Sequence, residues 1–201
     1  SDFNDEAKKL LKQRFEASGY KDIIRLMGIV DLDYCYEKIK LFLTLPLGIQ
    51  DGRDIFIPGE KRSAMFVAAR WGDKEWTKRL LDAYVTESKG DPRNIMFRFK
   101  TLTYVPQPEI VEFLNGYLHS DVVMPAGDDY EAEFVADWAA KSLAVLLRNF
   151  PEYDSKVYFD DKKLYIKACR EWMAKQEQWE FNSKIRGTAG KGSSTEGSGA
   201  H

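Results

Sequence analysis

Hydrophobic side chains recur along this chain at helical spacing and almost nowhere in strict alternation. That periodicity predicts helices rather than strands. Over residues 4–17, Leu11 and Phe15 mark one buried stripe, Asp5 and Glu6 suit the positive end of a helix, and Gly19 stops it. Residues 20–30 predict a second short helix, interrupted at Gly28. Asp31 or Asp33 caps a third over 34–45, with Cys35, Ile39, Phe42 and Leu43 on one side and Pro46 at its end. Residues 46–59 read as a loop in which DIFI is a short extended piece. Helices follow over 60–71 and over 74–88, the latter with Trp76, Leu80, Leu81 and Tyr84 on one face. The next, over 92–105, has Asp91 as its cap and Pro92 in its first position. Another spans 108–119, with Ile110, Phe113, Leu114 and Tyr117 aligned. A second loop, 120–130, precedes helices over 131–150 and 161–182; Tyr165, Cys169, Trp172 and Trp179 share a face of the last. Alternation appears only at IFI and KVYF, so the expected fold class is all-α with about nine helices.

The stretch EAEFVADWAAKSLAVLLRNF, residues 131–150, contains no Gly or Pro and predicts a helix of about five turns. Its apolar side chains fall on nearly every face. Phe134, Trp138 and Val145 look one way, and Val135, Ala139, Leu143 and Leu146 another; Ala132, Ala136, Ala140 and Ala144 form a small-residue stripe. A helix of that kind has to be covered on several sides. Two arrangements supply the cover: a central helix in an irregular bundle, or the inner helix of stacked hairpins. The spacing favours the second. First helices of successive pairs start near 33, 73 and 108, and second helices near 60, 92 and 130, so the period is roughly 32 to 40 residues, in the range of helical repeats.

EIVEFLNGYLHSD, a loop, and then EFVADWAAKSLAVLLRNF resemble a HEAT repeat, through the Leu-rich first helix, the Asp after it, and the spacing of Val135, Ala139, Ala140 and Leu143. RSAMFVAARWGDKEWTKRLLDAY is similar, with Ala64, Ala68, Ala69, the Gly72–Asp73 break, Leu80 and Leu81 in comparable places. The Arg common early in the second helix of such repeats falls here at Ala136. The resemblance covers about residues 33–150. It implies a right-handed α-α superhelix of stacked helical hairpins, a single domain over 1–186, and an extended groove suited to a protein or peptide partner. From Gly187 on, GTAGKGSSTEGSGAH reads as a flexible Gly/Ser-rich tail.

Composition agrees with a globular helical chain: 201 residues, 44% hydrophobic and 31% charged, are enough to build a core. The formal charge of −2 lacks the basic excess of a nucleic-acid binder, so no nucleic acid is favoured. No apolar run reaches the length of a membrane span. Ser1, where a Met would open an unprocessed chain, reads as the start of a trimmed product, which leaves cytoplasmic and exported locations both open. Cys35 and Cys169 fall in no ligand motif and are expected as buried free thiols, with a disulfide as the alternative. Oligomeric state is open.

Catalytic signatures are lacking: there is no GxSxG, Walker A, GxGxxG or HExxH. His119 ends a helix and His201 lies in the tail, so neither is read as a metal ligand, and no cofactor is expected. The candidate binding residues are carboxylates and aromatics. Asp51, Arg53 and Asp54 lie in the first loop, with Glu60 beside them; Asp128, Asp129 and Glu131 lie in the second, with Asp121 at its start. In a repeat both loops join the two helices of a pair and emerge at one edge. Trp71, Trp76 and Tyr84 are the candidate anchors of a concave groove. A stripe of Lys163, Lys167 and Arg170 on the last helix is interleaved with Glu171, Glu177 and Glu180 and reads as a solvated face. The alternative function is an all-α enzyme, or a domain of one, acting on a carbohydrate or nucleic acid through carboxylates such as Asp54 and Asp129.

Overall fold

The computed structural model describes residues 5–18, 21–45, 48–50, 53–56, 59–124, 133–152 and 159–182, with backbone alone at 48–50, 53–56 and 159–160. Among these residues are nine helices and four short strands. In chain order they are α1 (Asp5–Ser18), α2 (Lys21–Val30), α3 (Leu32–Leu43), β1 (Gly48–Gln50), β2 (Arg53–Phe56), α4 (Gly59–Trp71) and α5 (Lys74–Glu87). There follow α6 (Pro92–Leu102), α7 (Pro108–Leu118), β3 (Val123–Met124), β4 (Glu133–Phe134), α8 (Val135–Leu146) and α9 (Phe159–Met173). The fold is all-α. Where the sequence leads to a single helical domain over 1–186, the tertiary contacts form two compact units, the first running to Thr77 and the second starting at Lys78.

In the first unit α2 and α3 both pack on α4. Eight consecutive residues of α4, Ser63 to Arg70, are buried. The chain marks Gly28 as a break, yet α2 continues through it to Val30. The glycine serves contact instead: a Cβ at position 28 would lie 2.5 Å from Val67 Cγ2. Its absence lets the backbone of α2 close on α4, and the buried Arg70 completes the crossing by donating from Nε to the Gly28 carbonyl at 3.1 Å. Asp31 is the cap of α3, accepting from the Tyr34 N–H at 3.3 Å. Lys12 of α1 ties to the same carboxylate at 2.7 Å. The expected extended piece at DIFI is β2, paired antiparallel with β1 in a short hairpin.

The second unit is built around α8, against which α6, α7 and α9 pack. Of its 12 residues, eight are buried, Ala136, Ala139, Ala140 and Leu143 among them. The helix is shorter than its apolar run. Glu133 and Phe134 form β4 with β3, and the Val135 N–H continues that pairing to the Val122 carbonyl at 3.0 Å. At the other end Leu147 is extended and bridges to Phe181; Arg148 N–H donates to Glu180 O at 2.7 Å and Asn182 N–H to Leu146 O at 2.8 Å. Hydrophobicity there belongs to a returning strand-like segment and not to helix. For the same reason α9 stops at Met173, short of the expected 182, and Trp179 lies beyond it. Trp172 packs edge-on against Phe150, ring centroids 5.2 Å apart. At α6 the Asp91 cap and Pro92 behave as the sequence predicts, with Asp91 accepting from Arg93 N–H at 2.9 Å, although the helix ends at Leu102 and not Val105.

Candidate functional site

The expected loop edge is reached only at its margin. Asp51, Asp128, Asp129 and Glu131 lie outside the described residues. Arg53 and Asp54 stand on β2, where their backbones pair with Gln50 and Ile49. The two loops fall in different units, and their expected convergence lies outside the described residues.

Of the three candidate aromatic anchors, Trp71 and Trp76 are half-buried in the first unit. Tyr84 is 1% exposed and belongs to the core of the second, with the Arg98 guanidinium 5.6 Å from its ring centre. The expected groove position for Tyr84 is therefore corrected: the one-face pattern that marks a helix stripe marks burial here. Trp71 gains instead a partner that sequence spacing does not reveal. Its ring stacks on Tyr36 of α3 at 4.7 Å and 5°. The Tyr36 hydroxyl donates to Asp73 Oδ2 at 3.4 Å, and Asp73 Oδ1 accepts from the Trp76 N–H at 3.1 Å. Asp73 thus caps α5 and links both tryptophans to α3. Gly72, at φ 106°, makes the turn that brings it there. Burial, and after it the Asp73 carboxylate, raise the Tyr36 phenol above its ordinary pKa. Only the packing of α3 on α4 reveals Tyr36, since its partner is 35 positions away in the chain.

A second candidate lies wholly in the second unit. Ser120 and Asp121, just after α7, meet Phe134 and Ala136 at the start of α8 and Lys163, Ile166 and Arg170 of α9 around a cavity of about 240 Å³. Positions 163, 166 and 170 share one face of a helix, which is why α9 presents them together. The basic stripe expected to be solvated is thereby divided. Lys167 stays on the exposed side, 4.0 Å from Glu171, while Lys163 and Arg170 line the cavity. Arg170 Nε donates to the Leu118 carbonyl at 2.8 Å, satisfying an orphan acceptor at the end of α7. The Ser120 hydroxyl oxygen accepts from Val122 N–H at 3.2 Å. Phe134, at the cap position of α8, gives that helix no side-chain cap. Close by in the first turn of α8, Asp137 is fully buried and lies 2.9 Å from Lys141 Nζ.

His119 is the C-terminal cap residue of α7, as its place in the sequence predicts. Among the described residues no group of three or more His, Cys, Asp or Glu is gathered closely enough to hold a metal ion. No described helix is long and apolar enough to cross a membrane. Set beside protein-family models, curated proteins and solved structures, the chain matches none.

Proposed function

We propose that this chain is a non-enzymatic helical-repeat scaffold, HEAT-like in kind, whose hairpins stack as a right-handed α-α superhelix and bind a protein or peptide partner. One observation carries the reading. The same packed unit recurs: α3 lies against α4 and α7 against α8, and both second helices bury an adjacent Ala pair, Ala68–Ala69 and Ala139–Ala140. Buried small residues let a neighbouring backbone approach closely, and recurrence of such hairpins is the basis of solenoid binding surfaces. Tyr36, Trp71 and Trp76 are the anchors we assign to the partner in the first unit, since large half-buried aromatics dominate binding energy.

The test is selection from a displayed peptide library on the immobilised chain, followed by titration of the recovered peptides. Trp71→Ala is expected to weaken them about tenfold, and a variant with Asp51, Asp54, Asp128 and Asp129 changed to Asn reports on the loop edge. Peptides that bind wild type and Trp71→Ala alike would move the site away from the aromatics. Turnover of a glycan or nucleic acid that disappears in the Asn variant would overturn the scaffold reading in favour of an enzyme.

A further inference from the structure

Helix α1 is held to the first unit by little. Of its 14 residues only Phe15 is buried, whereas α4 in the same unit buries eight in a row. It packs on α2, and its contacts with α3 come from one face, since Lys12, Phe15 and Glu16 are spaced i, i+3 and i+4. Lys12 pairs with Asp31 at 2.7 Å and lies 4.4 Å from the Tyr34 ring centre. Phe15 meets the Tyr34 ring edge-on, centroids 6.3 Å apart, and Glu16 accepts from the Tyr34 hydroxyl. All three converge on the start of α3. Beside that contact the two helices do not close: Lys8, Lys12 and Glu16 line, with Tyr34, an open space of about 510 Å³. Leu10 is left 55% exposed.

From this we infer that α1 is a displaceable strap, and that its seat on α2 and the start of α3 takes a partner's amphipathic helix carrying the same Lys–Phe–Glu face. The seat outlasts the departure of α1. Both α2 and α3 rest on α4, and Asp31 still caps α3 through the Tyr34 N–H when Lys12 leaves. Elements that move are drawn from the low-stability end of a fold, where few apolar side chains are buried. The occupant's chemistry is read from α1 itself. It supplies a cation for Asp31, an aromatic ring for the edge-on contact with Tyr34, and a carboxylate for the Tyr34 hydroxyl. An isolated helix of this length is marginal in water, so α1 unwinds on leaving and a partner helix orders as it binds. Tethered α1 competes at an effective concentration on the order of millimolar, which keeps weak ligands off the seat. The seat does not involve Tyr36, Trp71 or Trp76 and does not depend on stacked hairpins, so it stands or falls apart from the scaffold reading.

The experiment titrates the full chain against a fluorescent peptide of residues 5–18, acetylated and amidated, with anisotropy as the readout. Wild type is compared with Phe15→Ala and Lys12→Ala. The second removes a side chain already 37% exposed and keeps the core, so it decides the matter if Phe15→Ala does not fold. Both changes loosen α1, and each variant should bind the peptide at least about tenfold more tightly than wild type does. A peptide that itself carries Phe15→Ala should bind them about tenfold more weakly. Hydrogen exchange of the wild type should release the Leu11 and Phe15 amides well before those of Ile24 and Ile39. Equal affinity for wild type and Lys12→Ala, no saturable binding to folded Lys12→Ala, or Leu11 and Phe15 exchanging together with Ile24 would each overturn the inference.

Discussion

The two cysteines show how burial becomes a pH response. Cys35 and Cys169 are both free and buried, in different units, so the disulfide alternative does not arise. Burial pushes Cys35 up to about 12 from an ordinary value of 9.0, and Cys169 to about 11. A raised thiol pKa stabilises the fold fully below the unfolded value, and that contribution is lost as pH climbs toward the folded one. Stability should therefore fall with a slope near 1.4 kcal/mol per pH unit for each thiol, from pH 9 to about 11 for Cys169 and to about 12 for Cys35, and Cys35→Ala should flatten the curve in urea titrations. Iodoacetamide at pH 8 should label neither thiol until the chain is unfolded. Asp137 was unremarkable in the sequence, one acidic residue in an apolar run, because nothing local shows that α6, α7 and α9 all pack on its helix. It is fully buried, Lys141 Nζ is 2.9 Å from Oδ2, and neither carboxylate oxygen has a well-formed hydrogen bond. Lys141 keeps 30% of its side chain exposed. Removing the lysine strands a buried charge, whereas removing the aspartate leaves an ammonium that can turn to water. Lys141→Met should thus cost about 3 kcal/mol and Asp137→Asn clearly less, an order that equilibrium denaturation would reverse if the pair were not the controlling contact.

Helix interiors and caps were legible because they rest on local rules: Asp31 and Asp91 cap where their spacing predicts, and Pro92 opens α6. Helix ends set by distant partners were not. The run 131–150 is apolar throughout, yet β3 claims Glu133 and Phe134, and the segment at Glu180–Asn182 claims the backbone beyond Leu146. Hydrophobicity alone cannot separate a buried helix from a buried extended segment. Gly28 is the same lesson at a single crossing. Alanine has the better helix propensity by up to about 1 kcal/mol, so local rules favour Gly28→Ala. The Cβ would meet Val67 Cγ2 at 2.5 Å inside a filled interface, and we expect the overpacking to prevail, for a net loss of about 1–3 kcal/mol. Val67→Ala in the same chain should recover part of it, and a double-mutant cycle with additive losses would show that the two side chains do not meet. On the central helix of the other unit, Leu143 has no exposed surface, and Leu143→Ala should cost about 2–5 kcal/mol in urea unfolding.

For the whole molecule, the all-α class was readable but the grouping of its helices was not. Pairing of α3 with α4 and of α7 with α8 follows from the spacing, while the grouping of the chain into two compact units depends on which helices cover α4 and which cover α8. The candidate sites follow the same division. Trp71 and Trp76 were visible as aromatics, but Tyr36 and the Lys163–Arg170 cavity emerge only when helices distant in sequence are packed. In a repeat array each unit gains its stability from its own interior and from its nearest neighbours, so a defect should spread unevenly. Gly28→Ala strikes the α2–α4 crossing, and Leu143→Ala the interior of α8. Native-state hydrogen exchange should then show Gly28→Ala accelerating the amides of Ile24 and Val67 while Leu114 and Leu143 keep their protection, and Leu143→Ala should do the converse for Leu114 and Ala139. If either variant lowered protection equally in both sets, the two units would unfold as one, and the chain would be a single cooperative bundle whose recurring Ala pairs are a packing device rather than the mark of a repeat.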